Sequence, residues 1–157
     1  MLIRGKAYWA KVLGEPLRND NYPENPRQWS VDVAVDAKTL ETLKEAGLFG
    51  KIKNKGDERG SFITFKRKEF KSGGTTANQA IKIVDHHGNA WDKRKLIGNG
   101  SEVNVRFNIY EDRRGGKNPA ILAIQVWDLV TYEAPNREDF PVKDTEGDAG
   151  EPDSETF

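Results

Sequence analysis

Apolar residues recur at every second position through most of this chain, and that period commits it to strands. Trp29, Val31, Val33 and Val35 alternate with Ser30, Asp32 and Ala34. Further on, Val103, Val105, Phe107 and Ile109 alternate with Asn104, Arg106 and Asn108. A period of two puts the apolar set on one face of a half-buried strand. Four more segments read as strands: Arg4 to Leu13, Phe62 to Phe70, Gln79 to Val84 and Ala120 to Tyr132. Only one segment has a helical pattern. Asp36 is placed to cap it, Leu40 and Leu43 mark its buried stripe across Lys38 to Ala46, and Gly47 ends it.

About six sequential strands without regular helical crossovers predict an all-β, mainly antiparallel sheet that closes on itself. The expected architecture is an OB-fold-like Greek-key barrel with one short helix and extended loops; a sandwich is the alternative. The loops carry turn chemistry: Gly14 to Pro26, KNKGDERGS, SGGTT, DHHGNAWD, the tight turn IGNGS and the basic hairpin loop RRGGKN. The longest apolar run, Ala120 to Ile124, is too short for a transmembrane helix, and the N-terminus has no secretory pattern. There is no cysteine, which excludes disulfides, thiol nucleophiles and cysteine-held metals.

The 25 basic and 25 acidic residues cancel, but they are segregated. Glu133 to Phe157 holds nine acids and two bases, a net −7. Met1 to Tyr132 holds the remaining 23 bases and 16 acids, a net +7. A basic body points to an anionic partner, and an acidic end can mimic that partner. The acidic stretch has only Phe140, Val142 and Phe157 as large apolar residues, with three prolines and two glycines among them. It buries too little to offset chain entropy. The expected organisation is a folded unit over 1–132 and a disordered acidic tail over 133–157. Phe157, a ring beside its own carboxylate and near Glu155, offers a compact docking group; a plain solubilising tail is the alternative.

Catalytic readings are thin. Asp85, His86, His87 and Asp92 lie close in sequence, but adjacent histidines at a strand end point apart and no third histidine exists. KSGGTT and IGNGS lack the order and the following helix that phosphate loops need. No metal, no cofactor and no enzymatic activity are expected.

Nucleic-acid binding fits better. Single strands are held by a basic groove that follows phosphates and by rings on which bases stack. That mixture occurs in Lys6, Tyr8, Trp9 and Lys11, and in Phe62, Phe65, Lys66, Arg67, Lys68 and Phe70. It recurs in Arg106 and Tyr110 with Arg113, Arg114 and Lys117, and the outward Lys82 adds to it. The expected DNA-contacting set is Lys6, Tyr8, Trp9, Phe62, Phe65, Lys66, Arg67, Lys68, Lys82, Arg106, Arg113 and Arg114. Alternation puts Phe62, Lys66 and Lys68 on one side of their strand, with Phe65 and Arg67 on the other, and leaves open which side meets the ligand. No basic recognition helix is present, which argues against a reader of duplex DNA.

A basic body with FITFKRKEF, the unit LIGNGSEVNVRFNIYE, and an acidic tail closed by Phe157 together resemble the single-stranded-DNA-binding proteins that tailed bacteriophages carry. The resemblance spans roughly the whole chain and is most specific in the IGNGS unit and the tail. It implies an OB-fold protein that coats and protects unwound DNA during phage replication and recombination in the cytoplasm of the infected host. It also implies that Asp148, Glu151, Asp153, Glu155 and Phe157 contact replication partners such as polymerase and helicase-primase. Self-association as a homodimer is left open by the sequence, and no membrane partner is expected. The alternatives are a divalent-metal nuclease using Asp32, Asp85 and His86, a strand-annealing recombination mediator, or a structural virion protein.

Overall fold

Period-two patterning becomes seven strands in the computed structural model, which describes residues 1–18, 21, 27–70 and 77–131. In chain order these are β1 (Leu2–Lys11), β2 (Gln28–Ala34), helix α1 (Ala37–Glu45), a 3-10 turn (Phe49–Lys51), β3 (Ile52–Asn54), β4 (Ser61–Lys68), β5 (Lys82–Val84), β6 (Ser101–Glu111) and β7 (Lys117–Asp128). The sheet order is β3-β4-β2-β1-β6-β7-β5. A parallel contact at Lys66 and Ala120 joins β4 to β7, closing β4, β2, β1, β6 and β7 into a five-stranded barrel. This is the expected OB-type barrel. β3 and β5 extend the sheet beyond the closure, and β5 also runs parallel to β7.

The alternating residues fill the barrel. Trp29, Val31 and Val33 meet Ile63, Phe65, Val105, Phe107, Ile121 and Ile124 in one core. The Phe65 and Phe107 rings lie 4.9 Å apart at 55°, a tilted aromatic contact. Leu43 from α1 and Leu48 after it complete this core. The Asp36 carboxylate accepts from the Thr39 N–H at 2.8 Å, and Gly47 takes φ +89° to end the helix. At Gly5, a Cβ would lie 2.3 Å from the Ala34 carbonyl oxygen, so β1 and β2 approach as closely as they do only over a glycine.

Two expectations need correction. Ile52–Asn54 is a strand, two of whose residues, Lys53 and Asn54, read from the sequence as loop; with one half-buried side chain it is too short to show a period. β5 is only three residues, because Gln79 leaves the ladder and its carbonyl accepts from Arg67 instead. The boundary at 132/133, the disorder expected of the tail, and the partner-contact residues Asp148, Glu151, Asp153, Glu155 and Phe157 lie outside the described residues.

Candidate nucleic-acid interface

Pairing register decides which side chains share the barrel's outer surface. One row runs Lys6–Ala34–Phe62–Lys53 across β1, β2, β4 and β3. The next is Tyr8–Asp32–Thr64, and then Lys11–Ser30–Lys66, with Lys68 opposite Gln28. Lysines therefore stand at the ends of the rows, around a centre made of Tyr8, Asp32, Phe62 and Thr64.

That centre is sealed. Phe62 is 1% exposed although it points away from the core, because the Arg59 guanidinium lies 3.9 Å over its ring. Arg59 is itself fixed by ion pairs to Asp32, at 2.7 Å, and to Asp57. The Thr64 hydroxyl donates to the other Asp32 oxygen at 2.7 Å. The surrounding lysines have no such compensation. Lys6, Lys11, Lys66 and Lys68 form no ion pair among the described residues. Burial holds the Lys53 ammonium below its usual range, and repulsion from Lys66, Lys55 and Lys51 adds to this, with only Asp32 opposing. Crowded cations of this kind favour a bound anion.

Trp9 is presented by a different device. It has φ +51°, the only positive value among described non-glycine residues, at a bulge where the β1–β2 register shifts. The left-handed region costs a non-glycine residue about 1–2 kcal/mol. The IGNGS turn holds it there: Asn99 accepts the Trp9 N–H at 2.9 Å, and the Gly100 N–H donates to the Ala7 carbonyl at 2.8 Å. Trp9 is 57% exposed. Backbone outliers of this kind cluster at ligand clamps and active sites.

The remaining expected contacts divide. Tyr8, Phe62 and Phe65, three of the expected DNA contacts, are buried in this structure. Phe65 is a core residue, whereas Phe62 is covered by an arginine from the preceding loop. Arg67 faces inward and donates to the carbonyls of Gln79 and Ile121, so it secures the β4–β7 closure. Lys82 and Arg106 are exposed on another sector, across β5 and β6. Arg113 and Arg114 stand on the β6–β7 hairpin tip, whose Asp112 lies within electrostatic reach of Lys51. Lys53 escaped the sequence reading, as did the exposed Trp127 with Arg4 lying 4.4 Å over its ring. The basic tripeptide-like spacing of Lys51, Lys53 and Lys55 was the available signal for the first.

No protein-family model and no curated protein sequence matches the chain. Solved structures do. The chain is similar to gp2.5, a single-stranded DNA binding protein encoded by bacteriophage T7, with 12% identity over 84% of this chain and 93% of that one, at a TM-score of 0.61. It is also similar to the single-stranded DNA-binding protein from bacteriophage Enc34 in complex with single-stranded DNA, with 10% identity over 85% and 88% and a TM-score of 0.53. The chain has the fold of these phage proteins. Among the described residues no group of three or more His, Asp or Glu side chains comes together to hold a metal ion. Asp32, on β2, is engaged by Arg59 and by Thr64 of β4. Asp85 instead closes its own turn, accepting from the His87 and Asn89 N–H groups. His86 and His87, expected to point apart, instead hold their rings 4.0 Å apart at a tilt of 40°. No helix of the described residues is long and apolar enough to cross a membrane.

Proposed function

We propose that this chain binds and protects single-stranded DNA without sequence preference, as part of phage DNA replication and recombination in the infected host's cytoplasm. The observation that carries this is the set of like-charged lysines that the pairing register gathers on the outer face of β1, β3 and β4, Lys6, Lys11, Lys53, Lys66 and Lys68, none of them in an ion pair among the described residues. A phosphate backbone laid along these strands relieves their mutual repulsion and releases counterions. Trp9, held out by the IGNGS turn, gives a base a ring to stack on. The protein acts by coating, with no chemistry on the strand.

The residues after 132 form a separate acidic tail in this reading. With −7 against the body's +7, it competes with DNA for the cationic surface. As a flexible coil, its last 24 residues span about 25–30 Å, enough to reach across a small domain. Bound DNA displaces the tail, freeing Asp148, Glu151, Asp153, Glu155 and Phe157 to recruit replication proteins such as polymerase and helicase-primase.

The test is an electrophoretic shift with single- and double-stranded oligonucleotides of equal length, using the full chain and one ending before Ala134. The single strand shifts at lower protein concentration, and truncation tightens it further. Equal shifts for both DNAs contradict the binding reading; unchanged or weaker binding after truncation contradicts the competing tail.

A further inference from the structure

A second sector of the barrel has the makings of a separate site. Register aligns Leu2, Arg106, Ala123 and Lys82 in one row across β1, β6, β7 and β5. Arg4, Asn104, Gln125 and Val84 form the adjacent row. Because Ala123 is the smallest side chain between two long cations, the surface sinks there into a cavity of about 300 Å³. Leu2, Val84, Ala123 and Ile124 give it an apolar bed.

One wall is fixed. Arg4 donates to Asn104 at 2.9 Å, Asn104 to Gln125 at 3.0 Å, and Gln125 to the Asp85 carbonyl at 3.4 Å. The same Arg4 guanidinium covers one side of Trp127, which stays 44% exposed. The opposite rim is free: Arg106 and Lys82 form no ion pair among the described residues. An apolar bed for a flat ring, unpaired cations beside it and an exposed indole together suit an unstacked nucleobase with its flanking phosphates. β6 and β4 share no ladder, since β2 and β1 stand between them on one side of the barrel and β7 on the other.

We infer that the β1–β6–β7–β5 surface is a second single-strand site, in which Arg106 and Lys82 take phosphates and the cavity takes a base, so that one barrel holds two segments of strand. This rests on the single-strand reading above, with charge complementarity naming the occupant. Its consequence is that contacts at the two surfaces respond to different substitutions.

Photocross-linking of a dT oligonucleotide carrying one 5-iodouracil, with the modified tryptophan identified by mass spectrometry, tests this on the full chain. The expected result is cross-links to both Trp9 and Trp127. In Arg106→Gln/Lys82→Gln the Trp127 product falls about tenfold and the Trp9 product persists. In Lys66→Gln/Lys68→Gln the Trp127 product persists. All four positions are exposed, and circular dichroism melts verify that the variants fold. A cross-link at Trp9 alone overturns the second site and leaves single-strand binding intact. Absence of both cross-links overturns both readings. Joint loss in either variant means one continuous track and overturns the proposal. So does a Trp127 product that survives Arg106→Gln/Lys82→Gln. Sedimentation showing a dimer that Leu2→Ser dissociates assigns the surface to a second copy and overturns it as well.

Discussion

Arg59 shows how one side chain changes what its neighbours can do. Phe62 alternates outward on β4, where a sequence reading makes it a stacking ring, yet Arg59 covers it and Asp32 and Asp57 hold Arg59 in place. Alternation tells which face a residue occupies, but not whether a loop folds over that face. That is why Phe62 and Phe65 were legible as opposite-facing residues and their burial was not. Trp9 is the converse case, an exposed ring on a strained backbone. Glycine adopts φ +51° without penalty, so Trp9→Gly separates the ring's role from the fold's. This variant should lose the stacking of about one base, about 1–3 kcal/mol of affinity. Its thermal stability should be unchanged or higher. Fluorescence polarisation of a labelled dT oligonucleotide, with a melt alongside, measures both; undiminished affinity would remove Trp9 from the interface.

Elements were more legible than residues. β2 and β6 follow their alternation, and α1 starts at the cap that Asp36 announces. β3 was missed because only Ile52 of its three residues is even half-buried, and with it went Lys53. The parallel β4–β7 closure leaves no local signal either, because it depends on residues 54 positions apart. The turns between elements rely on carboxylates. Asp36 is held below the ordinary carboxylate range by the Thr39 N–H, Asp85 by the Asn89 N–H, and Asp112 by Asn118 and the Gly116 N–H. A depressed folded-state value stabilises the fold fully above the unfolded value, about pH 4, and the benefit is lost as pH falls through the folded value. Melting temperature followed by circular dichroism should therefore drop as pH is lowered below about 4. A melting temperature that rises on acidification would contradict these caps.

At the scale of the whole molecule, the segregated charge organises the account. Residues 1–132 carry +7 and residues 133–157 carry −7, which makes the net charge of zero uninformative. The barrel then sorts the body's cations. Some are spent internally, as Arg59 and Arg67 are, and some stand on the outer surface with no ion pair among the described residues, as Lys6, Lys66, Lys68, Lys82 and Arg106 do. The sequence could locate the excess charge but not that division, which depends on which carboxylates and carbonyls the fold brings near each base. Polyanion binding by the outer set predicts a steep dependence on salt. The most direct test titrates poly(dT) against the full chain and Lys53→Gln/Lys66→Gln over a series of salt concentrations. Log affinity should fall linearly with log salt at about −0.7 per phosphate contacted, and the variant's slope should be shallower by about 1.4. A flat response, or the same slope in both proteins, would contradict a phosphate backbone lying along β3 and β4.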